Sequence, residues 1–310
     1  MSSRGRVTTR PSLTTRQHEL VSAAGFVVPA VAIMGVFIIY PAIATLVLSF
    51  LDSDGNFVGL QNFVQVLSHE HTLNLSRFLS GESPPWGSLI HNGLWVIVHL
   101  PITLILGLVL ATLLHNIKGG PTIKAIIFIG MVVPMVVGGV LIRFIFDAGS
   151  GIVPNFLSAL GVEGLVTRTW TAFPQTSLAA LILGSILLWT GFSLTMHSSG
   201  LSTIPKDFYE SAEVDGAGVF TKFTKITVPM LAPVTSVVIA MTLLWEIKIF
   251  DIVYAATEGG PGGSSMVLSF QMYRYAFRQL NHNLAATVAT ILSAFTLLVG
   301  MWLLRRNREV

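Results

Sequence analysis

The sequence has no cysteine and little charge: of its 310 residues only 11% are Asp, Glu, Lys or Arg. The missing cysteines exclude disulfides, a thiolate zinc site and a cysteine nucleophile, and say nothing about compartment. The scarcity of charge, with 52% hydrophobic residues and a mean hydropathy of +0.73, excludes an ordinary soluble globular domain. Also missing are a G-x-x-x-x-G-K-[ST] phosphate loop, an H-E-x-x-H zinc motif and a G-x-S-x-G nucleophile turn. His91, His99 and His197 are scattered, and His99 in VHLP reads as a packed or pore-lining histidine. No internal repeat, low-complexity tract or second soluble domain is visible.

What is present is apolar sequence in runs long enough to cross a bilayer, which takes about 20 residues per helix. Six spans are expected, at about 20–50, 89–115, 123–146, 177–196, 230–256 and 284–304. They make an all-α membrane protein with basic tails at 1–19 and 305–310. Pro41, Pro101 and Pro134 fall inside spans, where neighbouring helices can satisfy the freed carbonyls, and they predict kinks. Basic residues precede the first span, as in a signal peptide. Its about 30 apolar residues exceed a signal peptide's core, so it is expected to be retained.

Basic residues set the orientation. Arg4, Arg6, Arg10 and Arg16 precede span one, Lys118 and Lys124 separate spans two and three, and Lys206, Lys222 and Lys225 separate four and five. Arg305, Arg306 and Arg308 follow span six. The opposite side has Arg77, Arg168, Arg274 and Arg278. The excess of lysine and arginine predicts that both termini and the 204–229 loop are cytosolic. The basic pI therefore reflects topology, and no nucleic-acid partner is expected. The segment from Leu51 to Gly87 is the long external loop.

The loop 204–229 is polar between two apolar spans. Pro205 suits a first helical turn, and Asp207 and Glu210 lie at the positive end of its dipole. Gly216 and Gly218 interrupt that helix. Val219, Phe220, Phe223 and Ile226 then recur at helical spacing, and the Phe220, Phe223 and Ile226 stripe is expected to pack back on the chain. An interfacial helix lying under the membrane would share these features.

The spacing of Glu210-Ser211-Ala212, three residues, Gly216, nine residues and Ile226-Thr227-Val228-Pro229 resembles the EAA loop of binding-protein-dependent ABC importer permeases. Ser211 and Val228 depart from that pattern by small changes of size. LSTIPKDFYES, FDIVYAATEGGPGGSS and YPAIATLVLSF extend the likeness to the sugar-type permeases of the maltose and glycerol-phosphate systems. The resemblance implies a non-catalytic, multi-pass subunit of a prokaryotic cytoplasmic membrane, with ATP and magnesium bound by another polypeptide. It implies partners: a second homologous permease, two copies of a cytosolic ATPase and an extracytoplasmic solute-binding protein. It makes Glu210, Ser211, Ala212, Asp215, Gly216, Ala217 and Phe220 the contacts with the ATPase. It implies a carbohydrate cargo, with IKIFDIVY and WTGFSLTM leaning toward an α-glucoside. A permease for glycerol 3-phosphate or another polar solute, and a secondary transporter, are the alternatives. The binding protein is expected to dock around Asn62 to Trp86 and Gly259 to Ser265, where the glycines serve either close approach or a tight turn.

Ionisable residues within spans are functional candidates because burying charge in hydrocarbon is costly. Arg143, Glu246, Lys248 and Asp251 qualify, either as solute contacts or as structural ion pairs. Lys248 can reach Asp251 at three residues' spacing, and Arg143 lies at a depth suited to Glu246. Helices flanking the EAA loop line the solute site in permeases of this kind, which points to Ser185, Trp189, Thr242, Trp245, Glu246 and Ile249. Thr242, Trp245, Ile249 and Ile252 would share one helical face.

Overall fold

The computed structural model describes residues 15–306 except 163, 165 and 166. The expected tail with Arg4, Arg6 and Arg10, and the end with Arg308, lie outside the described residues. These form helices with no strand, apart from an isolated antiparallel bridge between Leu51 and Phe57. Among the described residues four helices are long and apolar enough to cross a membrane: Val27–Leu48, Ser88–Leu113, Pro174–Leu201 and His282–Leu303. Two bent pairs, Gly120–Val132 with Met135–Ile145 and Val219–Met230 with Ala232–Ile247, bring the total to six if each is one span.

Proline acts in two ways. Pro134 breaks span three, whose halves lie at 106°. A residue before proline is pushed out of the helical region, and Val133 sits accordingly at ψ 128. Pro41 and Pro101 produce no break. Each is preceded by a π turn, Gly35–Ile39 or Trp95–His99, after which the helix continues. A wider turn accommodates both the missing N–H and the ring's crowding of the carbonyl four residues back.

Span five departs furthest from expectation. A continuous helix over 230–256 was expected, but the helix from Ala232 stops at Ile247 and a separate one runs from Asp251 to Ala256. No glycine or proline marks this break. Its freed carbonyls find partners elsewhere: the Asn92 side-chain amide lies 3.3 Å from the carbonyls of both Glu246 and Ile247, and the Ser269 hydroxyl donates to that of Ile249. Such capture allows irregular backbone at membrane depth.

Span four is the bundle's axis, with two thirds of its apolar window buried. Small residues bring its neighbours close, as in other membrane bundles. A Cβ on Gly107 would meet Ser193 Oγ at 2.1 Å, one on Gly191 the Ile127 carbonyl oxygen at 2.8 Å, and one on Gly139 that of Ile252 at 2.9 Å. At one end of the bundle, segments 51–87, 146–162, 167–173 and 257–281 cluster around Trp170, Phe146 and Met266. At the other end Leu114, Leu201, Ile204 and Leu231 form a second core beneath the 204–229 loop.

Candidate functional site

The 204–229 loop is a braced helix pair. Its first helix, Asp207–Val214, follows Pro205 by one residue, and the Lys206 carbonyl accepts from Glu210 N–H at 3.0 Å. Gly216 turns the chain at φ 76, and Ala217 N–H donates back to the Ala212 carbonyl at 2.8 Å, closing the helix through a left-handed residue. The second piece, Val219–Lys222, widens into a π turn over Phe223–Thr227. Lys222 Nζ reaches Glu213 at 2.5 Å, and the Tyr209 and Thr227 hydroxyls meet at 3.0 Å. Two helices separated by glycines are thereby held at one angle.

Of the residues the motif singles out, Glu210, Ser211, Asp215, Gly216 and Phe220 are exposed, and Ala212 and Ala217 half-buried. One expectation is corrected. Phe220 does not pack back on the chain: it is 79% exposed, with Val219 at 82% and Val214 at 89%. Phe223 and Ile226, one turn later, carry the packing face and are half-buried. The turn around Gly216 therefore presents apolar tips to whatever lies beyond the bundle end.

At the break in span five, Trp189 and Trp245 stack with ring centroids 4.5 Å apart and planes 11° from parallel. Trp189 Nε1 donates to Thr242 Oγ1 at 2.9 Å, fixing one indole to the helix that carries the other. With Ile249, Phe192, Phe250 and Lys248 the two tryptophans line a cleft of about 400 Å³. The sequence-derived set is thus brought together, but unequally. Trp189, Trp245 and Ile249 face the cleft, and Thr242 is buried beneath it. Ser185 is buried and bonds the Ile182 carbonyl of its own helix at 2.8 Å. Glu246 is fully buried and does not line the cleft.

The expected ion pairs are replaced. Glu246 Oε1 lies 2.6 Å from His99 Nδ1, and neither side chain is exposed. Arg143, offered as its partner, is exposed. Lys248 and Asp251 are both exposed and form no ion pair with each other, because the helix that would align them has already ended. For the same reason Ile249 and Ile252 do not continue the helical face of Thr242 and Trp245. His99, read as packed or pore-lining, is indeed packed and buried, but its pairing with Glu246 was not foreseen. Its partner is 147 positions away, and the one local signal was an ionisable group inside an apolar run.

At the opposite end the two loops expected to meet a partner meet each other. A Cβ on Gly263 would come within 3.2 Å of His71 Nδ1, and Gln271 Nε2 donates to Thr72 Oγ1 at 2.6 Å. Gly259, Gly262 and Gly263 all hold positive φ, so they do make a tight turn. Burial in this seam pushes His71 below the ordinary histidine range, with His69 and Arg274 adding to the effect.

Helices apolar enough to span a membrane, two of them bent pairs, with a cleft at the break in span five and a polar helix pair at one end, make a polytopic membrane protein. Residues 103–307 match the family described as binding-protein-dependent transport system inner membrane component, and the chain belongs to that family. It is an ABC transporter permease subunit, a non-catalytic component of the membrane. A probable ABC transporter permease protein of Pyrococcus horikoshii is 53% identical over 284 residues, 91% of this chain and 97% of that protein. The lactose transport system permease protein LacF of Rhizobium radiobacter is 30% identical over 92% of this chain and 93% of its own length. A chain from a bacterial ABC transporter involved in the import of the acidic polysaccharide alginate superposes with a TM-score of 0.74 at 19% identity, covering 95% of this chain and 97% of that one. This last likeness is one of fold.

Proposed function

We propose that the chain forms half of the membrane pathway of an ATP-driven importer for a carbohydrate, an α-glucoside or another di- or oligosaccharide. The cleft faced by Trp189 and Trp245 carries this reading. An indole face packs on the apolar face of a pyranose, while Lys248 and Asp251 at the cleft offer hydrogen bonds to hydroxyls. The names of relatives such as the lactose permease agree with such a cargo.

A second permease completes the pathway, and an extracytoplasmic solute-binding protein delivers the sugar at the 51–87 and 257–281 end. Two ATPase subunits, which bind ATP and magnesium, seat against the turn around Gly216 through its exposed Glu210 and Phe220. Both termini are cytosolic in the prokaryotic inner membrane, since the basic residues collect at that end.

Uptake of maltose, trehalose, lactose and glycerol 3-phosphate by the reconstituted complex tests the cargo. A disaccharide is expected to be taken up and to be displaced by other sugars. Trp245→Ala is expected to raise its apparent KM about three- to tenfold, the range for losing an aromatic stack. Wild-type apparent affinity in both Trp189→Ala and Trp245→Ala, at matched membrane levels, would place the path elsewhere.

A further inference from the structure

The buried pair behind the cleft is not used by anything described so far. His99 and Glu246 are joined at 2.6 Å, both fully enclosed, and neither lines the cleft. A buried polar pair is commonly no more stabilising than a well-packed apolar one of the same volume; what it adds, where it adds anything, is a fixed geometry. The surroundings show which geometry that is. The His99 ring lies 5.6 Å from that of Trp245 and 5.6 Å from that of Trp95, and Trp95 meets Trp245 edge-on at 6.2 Å. Trp189 stacks on one face of Trp245. His99 closes the π turn of span two, so the wide turn sets the angle at which its ring enters.

The backbone is fastened by the same span. Asn92, two turns before His99, holds the carbonyls of Glu246 and Ile247, and its side-chain oxygen accepts from Leu268 N–H at 2.9 Å. Trp245 is the residue before Glu246, and the helix ends one residue after it. A shift of the Glu246 side chain therefore swings Trp245 directly, with no following helical turn to resist it.

We propose that His99 is a positioning residue for solute recognition. Through its bond to Glu246 it holds the Trp245 indole at the angle that faces the cleft. This rests on reading the cleft as the solute path. His99 touches no solute. It sets apparent affinity, while turnover and coupling to ATP hydrolysis are set elsewhere.

The test is uptake by the whole complex in proteoliposomes, using whichever of maltose, trehalose or lactose the wild type takes up fastest. His99→Asn keeps an N–H donor near the place of Nδ1, whereas His99→Gln moves it toward that of Nε2; both keep polarity and approximate bulk. The Gln variant is expected to raise apparent KM about tenfold, the equivalent of one buried hydrogen bond lost, with maximal rate within about twofold of wild type. The Asn variant is expected to stay within about threefold of wild-type KM. Adding His99→Gln to Trp245→Ala is expected to change KM by less than about twofold, because the first acts through the second.

Equal, wild-type KM in both His99 variants overturns the proposal, as do effects that multiply in the double variant. Loss of protein or of maximal rate at unchanged KM marks a structural brace and overturns it too. Wild-type KM in both Trp189→Ala and Trp245→Ala rejects the solute-path reading itself, wild-type KM in Trp245→Ala alone rejects the positioning role, and no uptake of any of the three sugars rejects the disaccharide cargo on which both rest. A shifted Trp245→Ala with unshifted His99→Gln rejects the positioning role alone.

Discussion

Gly191 packs where no other side chain fits: the Ile127 carbonyl and the Phe128 Cα occupy the place of its Cβ. Backbone cannot yield as a side-chain tip can, so Gly191→Leu is expected to destabilise by about 3 kcal/mol, at the upper end for overpacking. Membrane yield and thermal unfolding in detergent would show this, and Gly300→Leu, with open space around it, should match wild type. Gly216 differs, having open space but a positive φ. A β-branched residue there is strained by about 1–2 kcal/mol. Gly216→Val should insert normally yet lose uptake about tenfold, and wild-type uptake would contradict the role given to this turn. The turn residues were legible because their spacing is local. The partner of His99 was not, because hydropathy and periodicity carry no information about a contact in another span.

The four continuous helices were legible to within a few residues, except that the first begins earlier, at Thr15. Length and apolarity alone define them. The end of span five was not legible. Its break contains no helix-breaking residue and is stabilised by Asn92 and Ser269, which only the tertiary fold brings near.

Two elements yield predictions of their own. The helix pair around Gly216 exposes Phe220, so Phe220→Ser should leave the unfolding temperature of the isolated chain unchanged while weakening its stimulation of ATP hydrolysis. Equal stimulation by variant and wild type would show that the exposed tip is not a docking contact. The seam between the 51–87 and 257–281 loops is expected to depend on pH through His71, whose neutral form burial favours. Its contribution is complete above the ordinary value of 6.5 and is lost as pH falls through that value toward the lowered one. Glu70 opposes the shift, and His69 and Arg274 reinforce it. Amides of 69–74 and 259–266 should exchange faster at about pH 5.5 than at about pH 7.5, after correction for intrinsic rates, and less so in His71→Gln.

On the scale of the molecule, the alternation of spans separates two unlike ends, one with the segments 51–87, 146–162, 167–173 and 257–281, the other with the 204–229 pair. On the proposed reading the second end, where basic residues collect, is the cytosolic one. A chain without cysteine lends itself to testing this. In intact cells Ser80→Cys should react with a membrane-impermeant maleimide and Thr221→Cys should not; the reverse would invert the topology. The central claim is that this chain is a passive half-channel moved by other subunits. Its most direct test is accumulation of labelled disaccharide in proteoliposomes assembled with and without the ATPase, the binding protein and ATP. Accumulation that requires all three, and that disappears with Glu210→Lys while the complex stays in the membrane, is the predicted result. Accumulation by this chain without ATPase or ATP, driven by an ion gradient, would contradict it.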